Sequence, residues 1–177
     1  GNIKRPGIVH RLDIGTSGVM IVAKSQEAHK VLIEKFQHHD LERKYIALVL
    51  KKNTPTSGRI ESFIDRSKKD RKKMTSLVHE GKKAITHYAV KLQGQKINLI
   101  ECTLQTGRTH QIRVHMAEQL STPILNDFTY ANPKQHLQQL SSNAKNLLKD
   151  YPYPLLHARY LGLKHPLNEQ WLEFEST

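Results

Sequence analysis

The chain has 177 residues, 37% of them hydrophobic and 25% charged, which suits one globular domain with a substantial core. No apolar run reaches the ~18–20 residues of a membrane span, the N-terminal residues show no signal-peptide hydrophobic region, and the single Cys102 excludes an internal disulfide and a cysteine zinc cage. A net charge of +12 points to a polyanionic partner, nucleic acid being the commonest, and the cysteine usage fits a reducing compartment such as the cytoplasm.

In chain order, HRLDIGTSG (10–18) sets an arginine and an aspartate around one leucine, between Ile8–Val9 and the apolar run from Val19 to Ala23. GVMIVAK (18–24) predicts a buried strand. QEAHKVLIEKFQH (26–38) predicts a helix with Ala28, Val31, Leu32 and Phe36 on one face and Ser25 as N-cap. RKYIALVL (43–50) predicts a strand covered on both sides, Tyr45, Ala47 and Val49 facing one way and Ile46, Leu48 and Leu50 the other. NTPTSG (53–58) reads as a turn; strands follow at 59–64, 84–92 and 97–104, the last two joined by a hairpin near Gly94. A helix is predicted over 109–120 (THQIRVHMAEQL). A second, over 134–149, has Leu137, Leu140, Ala144, Leu147 and Leu148 as its stripe and is broken by YPYP (151–154). Strands at 156–163 and 171–175 close the chain around a His-Pro turn. Mixed strands and few helices, with no repeat or linker, give an α+β domain.

RSKKDRKK (66–73) holds six basic residues in eight, with no apolar side chain to pack. Such a run is either a solvated loop or a loop that tracks phosphates, and with Lys82 and Lys83 nearby the second reading is preferred. In the 109–120 helix, Ile112, Met116, Ala117 and Leu120 form an apolar stripe, and Arg113 falls inside it. A guanidinium facing a core requires a carboxylate. Asp13, at the head of an apolar strand, has the matching need, so the two are expected to pair, either as a structural salt bridge or as a nucleophile and its counterion. His110 and His115 lie about 140° apart around a helix and cannot converge on one ion; no metal site is expected. Neither a phosphate-binding glycine loop nor a G-x-S-x-G elbow is present.

RPGIVHRLDIGTSGVMIVAKS (5–25), RKYIALV (43–49) and GRTHQIRVHM (107–116) resemble the signature blocks of the RluA-type pseudouridine synthases, closest to their large-subunit ribosomal RNA branch. DRSKKDRKKM (65–74), KKAITHY (82–88), PILND..Y (123–130) and LLHARYLGLKHP (155–166) fit the same family in the same order. The resemblance implies a mixed, mainly antiparallel sheet with flanking helices around a central RNA-binding cleft. It implies Asp13 as nucleophile, Tyr45 stacking on the target base and assisting proton removal from C5, and Arg113 paired with Asp13. Arg11 then helps displace and replace the flipped nucleotide, Ile112 lines the uracil pocket, and Arg66, Lys72, Lys73, Arg108 and His110 contact substrate or RNA. The uridine is extruded from folded RNA at a cost of a few kcal/mol, its glycosidic bond is broken, and the uracil rejoins through C5; attack at C6, attack at C1′ and a glycal intermediate are the routes considered. The isomerisation involves no redox change and loses no group, so no cofactor and no metal are expected. The partner is ribosomal RNA, with transfer RNA the alternative, and a monomer away from membranes is expected.

Family members usually carry more sequence ahead of RPGIVHRLD, including first strands, a K-P-x-G motif and often an S4-like domain. Residues 1–177 are therefore expected to be a partial catalytic domain with an exposed sheet edge. The competing readings are a basic RNA-binding module without chemistry and a ribosome-assembly factor acting by occupancy.

Overall fold

The clearest alternation in the chain, Ile97 to Leu104, becomes the middle of a sheet. Asn98, Ile100, Cys102 and Leu104 turn inward at every second position and are buried. The computed structural model describes residues 6–51, 53, 55–132, 138 and 140–177. Its strands are β1 (Ser17–Gly18), β2 (Glu42–Leu50), β3 (Ser57–Arg66), β4 (Met74–Leu77), β5 (Lys82–Gln93), β6 (Ile97–Leu104), β7 (Leu156–Lys164) and β8 (Trp171–Glu175). The helices are α1 (Gln26–His38), α2 (Gln111–Val114), which runs into a π-helical turn at His115–Gln119, and α3 (Ser142–Lys149).

The strand order is β1-β7-β2-β6-β5-β3-β4, with β8 also on β7. Every pairing is antiparallel except the short parallel one between β1 and β7, so the α+β class with a mixed, mainly antiparallel sheet holds. β1 and β8 share one edge of β7: β1 pairs at His157–Ala158 and β8 at Tyr160–Lys164. The opposite edge is the four-residue β4. Both edges are thus short or, in β8, interrupted by Glu173 and Glu175, which discourages pairing with another sheet.

The main core lies between the sheet (Ala47, Val49, Ile60, Ile100, Cys102) and α2 with its π turn (Ile112, Met116). A second cluster seats α1 through Leu32 on Leu161 and Leu163. Full burial of such a side chain stabilises by ~1.5–3 kcal/mol. α1 matches its predicted span, with Ser25 Oγ accepting from the Ala28 N–H at 3.1 Å, as an N-cap does. Among the described residues no helix is long and apolar enough to cross a membrane.

Three expected elements are corrected and one strand is added. Of the strand predicted at 18–24, only Gly18 is in a sheet. The rest keeps the alternation, Val19, Ile21 and Ala23 inward and Met20 and Val22 exposed, but pairs with the 7–10 segment through Ala23 N–H to the Gly7 carbonyl and Ile21 N–H to His10. The predicted 109–120 helix starts at Gln111 and changes to π geometry at His115, with Leu120 N–H bonded to the His115 carbonyl. It is not amphipathic: Gln111 through Met116 are all buried. In the predicted 134–149 helix, residues 134–137 and 139 lie outside the described residues; α3 packs Ala144 and Leu148 against Leu140's cluster, but Leu147 is 81% exposed. β4 was not predicted, because Met74–Leu77 is too short to show a period.

Candidate active site

The HRLDIGTSG segment is a loop fastened at both ends. At its start the Ile21 N–H donates to His10 Nε2 at 3.0 Å, and the His10 ring stacks on Phe36 with 4.4 Å between centroids. Burial, aided by the charge of Arg43, pushes His10 down to about 4, so the ring stays neutral and able to accept. At its end Ser17 Oγ is hydrogen-bonded to His157 Nδ1 at 2.8 Å, and the Val19 N–H donates to the Ala158 carbonyl at 2.8 Å. Between these anchors the Thr16 N–H closes a turn on the Asp13 carbonyl at 2.9 Å. Gly15 supplies the φ of +82° this turn needs, with its α-carbon against the Tyr153 ring, where a side chain has no room. Asp13 is thereby held half-buried on a pinned turn.

Tyr45 comes from β2. Lys44 pairs with Tyr160 but Tyr45 with Ala158, leaving Arg159 as the extra residue of a bulge in β7 beside it. Burial raises the Tyr45 phenol, Arg43 opposes this and Asp13 adds to it, so the hydroxyl keeps its proton. A protonated phenol stacks and donates; it accepts a proton from carbon only after passing on its own.

Arg113 lies in α2 and is 6% exposed. It needs a carboxylate, but the one it holds is Asp127: Nε donates to Oδ2 at 2.7 Å and Nη2 to Oδ1 at 2.6 Å, a bidentate pair. The expected direct pairing with Asp13 is thus corrected. Asp127 lies immediately after the strand-bridging segment at Ile124 and reaches the guanidinium first, while Asp13 makes no ion pair among the described residues. Burial works against the charge of Arg113, and the bond and charge of Asp127, joined by the charge of Asp13, outweigh it and raise its pKa. Tyr130 covers the guanidinium at 5.1 Å and is hydrogen-bonded through its hydroxyl to His110 Nδ1 at 2.8 Å. His110 is shifted down, by burial first; Asp13 pulls it up and Arg113 down.

Two cavities meet at this loop, with Arg11 and Asp13 in the wall of both. The larger, about 450 Å³, is also lined by Tyr45, Ile112, Arg108 and the apolar side chains of Leu104 and Leu156. The smaller, about 290 Å³, is lined by His110, Arg113 and Asp127. Of the candidate residues, the structure therefore brings together Asp13, Arg11, Tyr45, Ile112, Arg108, His110 and Arg113. It does not bring Arg66, Lys72 and Lys73 there; Arg66 ends β3 and the two lysines stand on the turn between β3 and β4, whose backbone is ordered by Ser67 and Asp70. Four partners went unread: Asp127 and Tyr130, which PILND..Y contains, Arg43, which shares the inward face with Tyr45 two residues on, and His39. The two-residue period would have found Arg43.

Comparison with known proteins gives one consistent result. A family model described as RNA pseudouridylate synthase matches residues 1–118. The chain is 40% identical over 174 residues to a Bacillus subtilis protein named as the uncharacterized RNA pseudouridine synthase YlyB, covering 98% of this chain and 52% of that one. It is 38% identical over 178 residues to the ribosomal large subunit pseudouridine synthase D of Zymomonas mobilis, covering 99% and 54%. The chain thus spans about half the length of the curated relatives it matches. Among solved structures it resembles human RNA pseudouridylate synthase domain containing 4, with a TM-score of 0.76 and 29% identity over 96% of this chain and 70% of that one.

Proposed function

Because the chain belongs to the RNA pseudouridylate synthase family, we propose that residues 1–177 are a catalytic unit that isomerises specific uridines in RNA to pseudouridine, with Asp13 as nucleophile. The observation that carries this reading is convergence: Asp13 from a pinned loop, Tyr45 from β2 and Ile112 from α2 line one cavity of about 450 Å³, within the ~300–1,000 Å³ range of small-molecule sites. The apolar walls suit a uracil ring, and Tyr45 gives it a face to stack on. Asp13 promotes cleavage of the C1′–N1 bond. The uracil turns within the cavity, C5 bonds to C1′, the C5 proton leaves and N1 takes up a proton, so atoms and electrons balance without another reactant. Arg113, held by Asp127, lines the adjoining smaller cavity, whose wall Asp13 shares. Arg11, exposed at the rim, is placed to fill the gap left by an extruded base.

The substrate is large-subunit ribosomal RNA, the substrate class in the name of the Zymomonas relative; transfer RNA is the alternative. The basic turn at 66–73 supplies phosphate contacts outside the cavity, and the protein acts as a monomer in the cytoplasm. Tritium release from large-subunit ribosomal RNA labelled at uridine C5 tests the reading, since the isomerisation must expel that hydrogen. Release by the parent protein, and none by Asp13→Asn at equal RNA binding, is expected. Equal release by both would remove Asp13 from the chemistry, and bound but unchanged RNA with the parent would leave a binding module.

A further inference from the structure

Most of the buried polar side-chain atoms that lack a partner among the described residues belong to residues of the larger cavity. Among the described residues, the buried side-chain nitrogens and oxygens with no hydrogen-bond partner within the protein are Thr16 Oγ1, His39 Nδ1, Arg43 Nε and Nη2, Asn98 Oδ1 and Thr122 Oγ1. The first four belong to residues lining this one cavity. The Arg43 guanidinium lies over the Phe36 ring at 6.0 Å, but two buried nitrogens without a hydrogen-bond partner remain costly.

Its surroundings make the cost larger. The cavity wall carries Arg11, Arg43 and Arg108 against one carboxylate, Asp13. Burial lowers Arg43, Tyr45 opposes this and Arg108 presses it down; burial first, then Arg43 and Arg108, push His39 down. Gly107 faces the guanidinium so closely that an added Cβ would strike Nη1, although its φ is outside the left-handed region. Its lack of a side chain makes room for Arg43 and has no conformational purpose. Arg43 and Tyr45 also share one face of β2, two residues or about 6.8 Å apart, a step comparable to the span from a nucleobase to its own phosphate.

We propose that Arg43, flanked by Arg108 and His39, forms an anion subsite that takes a phosphodiester of the RNA strand while the adjoining base lies at Asp13 and Tyr45. The proposal rests on the RNA reading above and names the residues that grip the backbone inside the cavity, as distinct from the exposed turn at 66–73. A phosphodiester offers several acceptor oxygens and the negative charge that this group of cations lacks. A neutral uracil carbonyl satisfies one donor and leaves the charge uncompensated.

Anisotropy titrations of a fluorescein-labelled large-subunit ribosomal RNA fragment over a KCl series test it. Arg43→Met is expected to weaken binding about tenfold or more at low salt, as for loss of a charged hydrogen bond. It should make the slope of log affinity against log salt shallower by about 0.7, the value for one single-strand phosphate contact. Arg43→Lys keeps the charge and is expected to restore the slope. Gly107→Ala, which removes no charge and displaces only the guanidinium, is expected to mimic Arg43→Met in direction, and it carries the test if thermal melting shows Arg43→Met unfolded. Binding by Arg43→Met within twofold of the parent overturns the subsite. So does an affinity loss with an unchanged salt slope, which would assign Arg43 to a neutral acceptor on the base. These readouts need no turnover, so absence of tritium release alongside the expected slopes would remove the isomerase reading and leave the subsite standing.

Discussion

Replacing Asp127 with asparagine separates the two carboxylates near Arg113. The Asp127 side chain is 1% exposed and that of Arg113 7%, and they share two short charge-assisted bonds. Removing one partner of a buried pair strands the other charge and costs about 3–5 kcal/mol. Asparagine keeps one acceptor oxygen, which places Asp127→Asn near the lower end, about 3 kcal/mol. For a chain of this length that corresponds to a melting temperature lower by roughly 6–12 °C. Asp13 is half-buried and takes no ion pair among the described residues, so Asp13→Asn is expected to change stability by less than about 1 kcal/mol. Urea unfolding of both variants at neutral pH, followed by circular dichroism, measures the difference directly. The double variant Arg113→Met/Asp127→Leu should recover much of the loss, since no charge is then left unpaired. An Asp13→Asn variant as unstable as Asp127→Asn would refute the argument and make Asp13 the structural counterion.

Acid should destabilise the fold through two histidines. His10 and His115 are both pushed down to about 4, chiefly by burial, so the folded state holds them neutral while the unfolded chain takes up protons from about 6.5. Their contribution is fully present above pH 6.5 and is lost as pH falls toward 4; for the fully buried His115 it amounts to about 3 kcal/mol. Urea midpoints between pH 7.5 and 4 should therefore fall less steeply for His115→Gln than for the parent, and parallel slopes would show that this ring does not titrate across folding. The double variant Lys69→Gln/Lys72→Gln, which alters two exposed ammonium groups on the turn between β3 and β4, should reduce the salt slope of RNA binding by up to about 1.4. An unchanged slope would make that turn a solvated surface with no phosphate contacts.

What the sequence revealed followed from the range of its signals. α1, β2, β5, β6, β7 and β8 were legible because each repeats a period over several residues; α1, β6 and β8 have their predicted limits, and the others differ by a residue or two at their ends. The 18–24 segment has the alternation of a strand, but alternation reports which side chains turn inward, not what the backbone bonds to. Here the partner is the chain's own 7–10 segment. The π turn has no local signature, since it is fixed by the bonds of Glu118 and Gln119 to β4 some forty residues away. The need of Arg113 for a carboxylate was legible from the stripe. Its identity was not, because Asp13 and Asp127 both lie near it and only the bidentate geometry decides between them. Arg43 was overlooked because a charged residue at a strand's beginning reads as surface, although it shares the inward face with Tyr45.

Hydrogen bonds also link the basic hairpin to the candidate site. Tyr130 Oη accepts the Met74 N–H at 2.8 Å, at the point where the chain leaves the 66–73 turn, and is bonded to His110 Nδ1 at 2.8 Å. Burial pushes the Tyr130 phenol well up, so its proton is in place. The same oxygen thus joins the Met74 backbone and the His110 ring in one hydrogen-bonded chain. Burial keeps the ring neutral even though Asp13 and Asp127 favour its charged form. The ring is held by a hydroxyl that also anchors the basic hairpin. Glu118 and Gln119 fasten the same hairpin through Thr75 and Ser76. Any shift of the hairpin must pull on Met74, and through Tyr130 on His110. The π turn is the local device that makes this possible: its extra residue brings Glu118 and Gln119 to β4 while Arg113, a turn earlier, keeps its grip on Asp127.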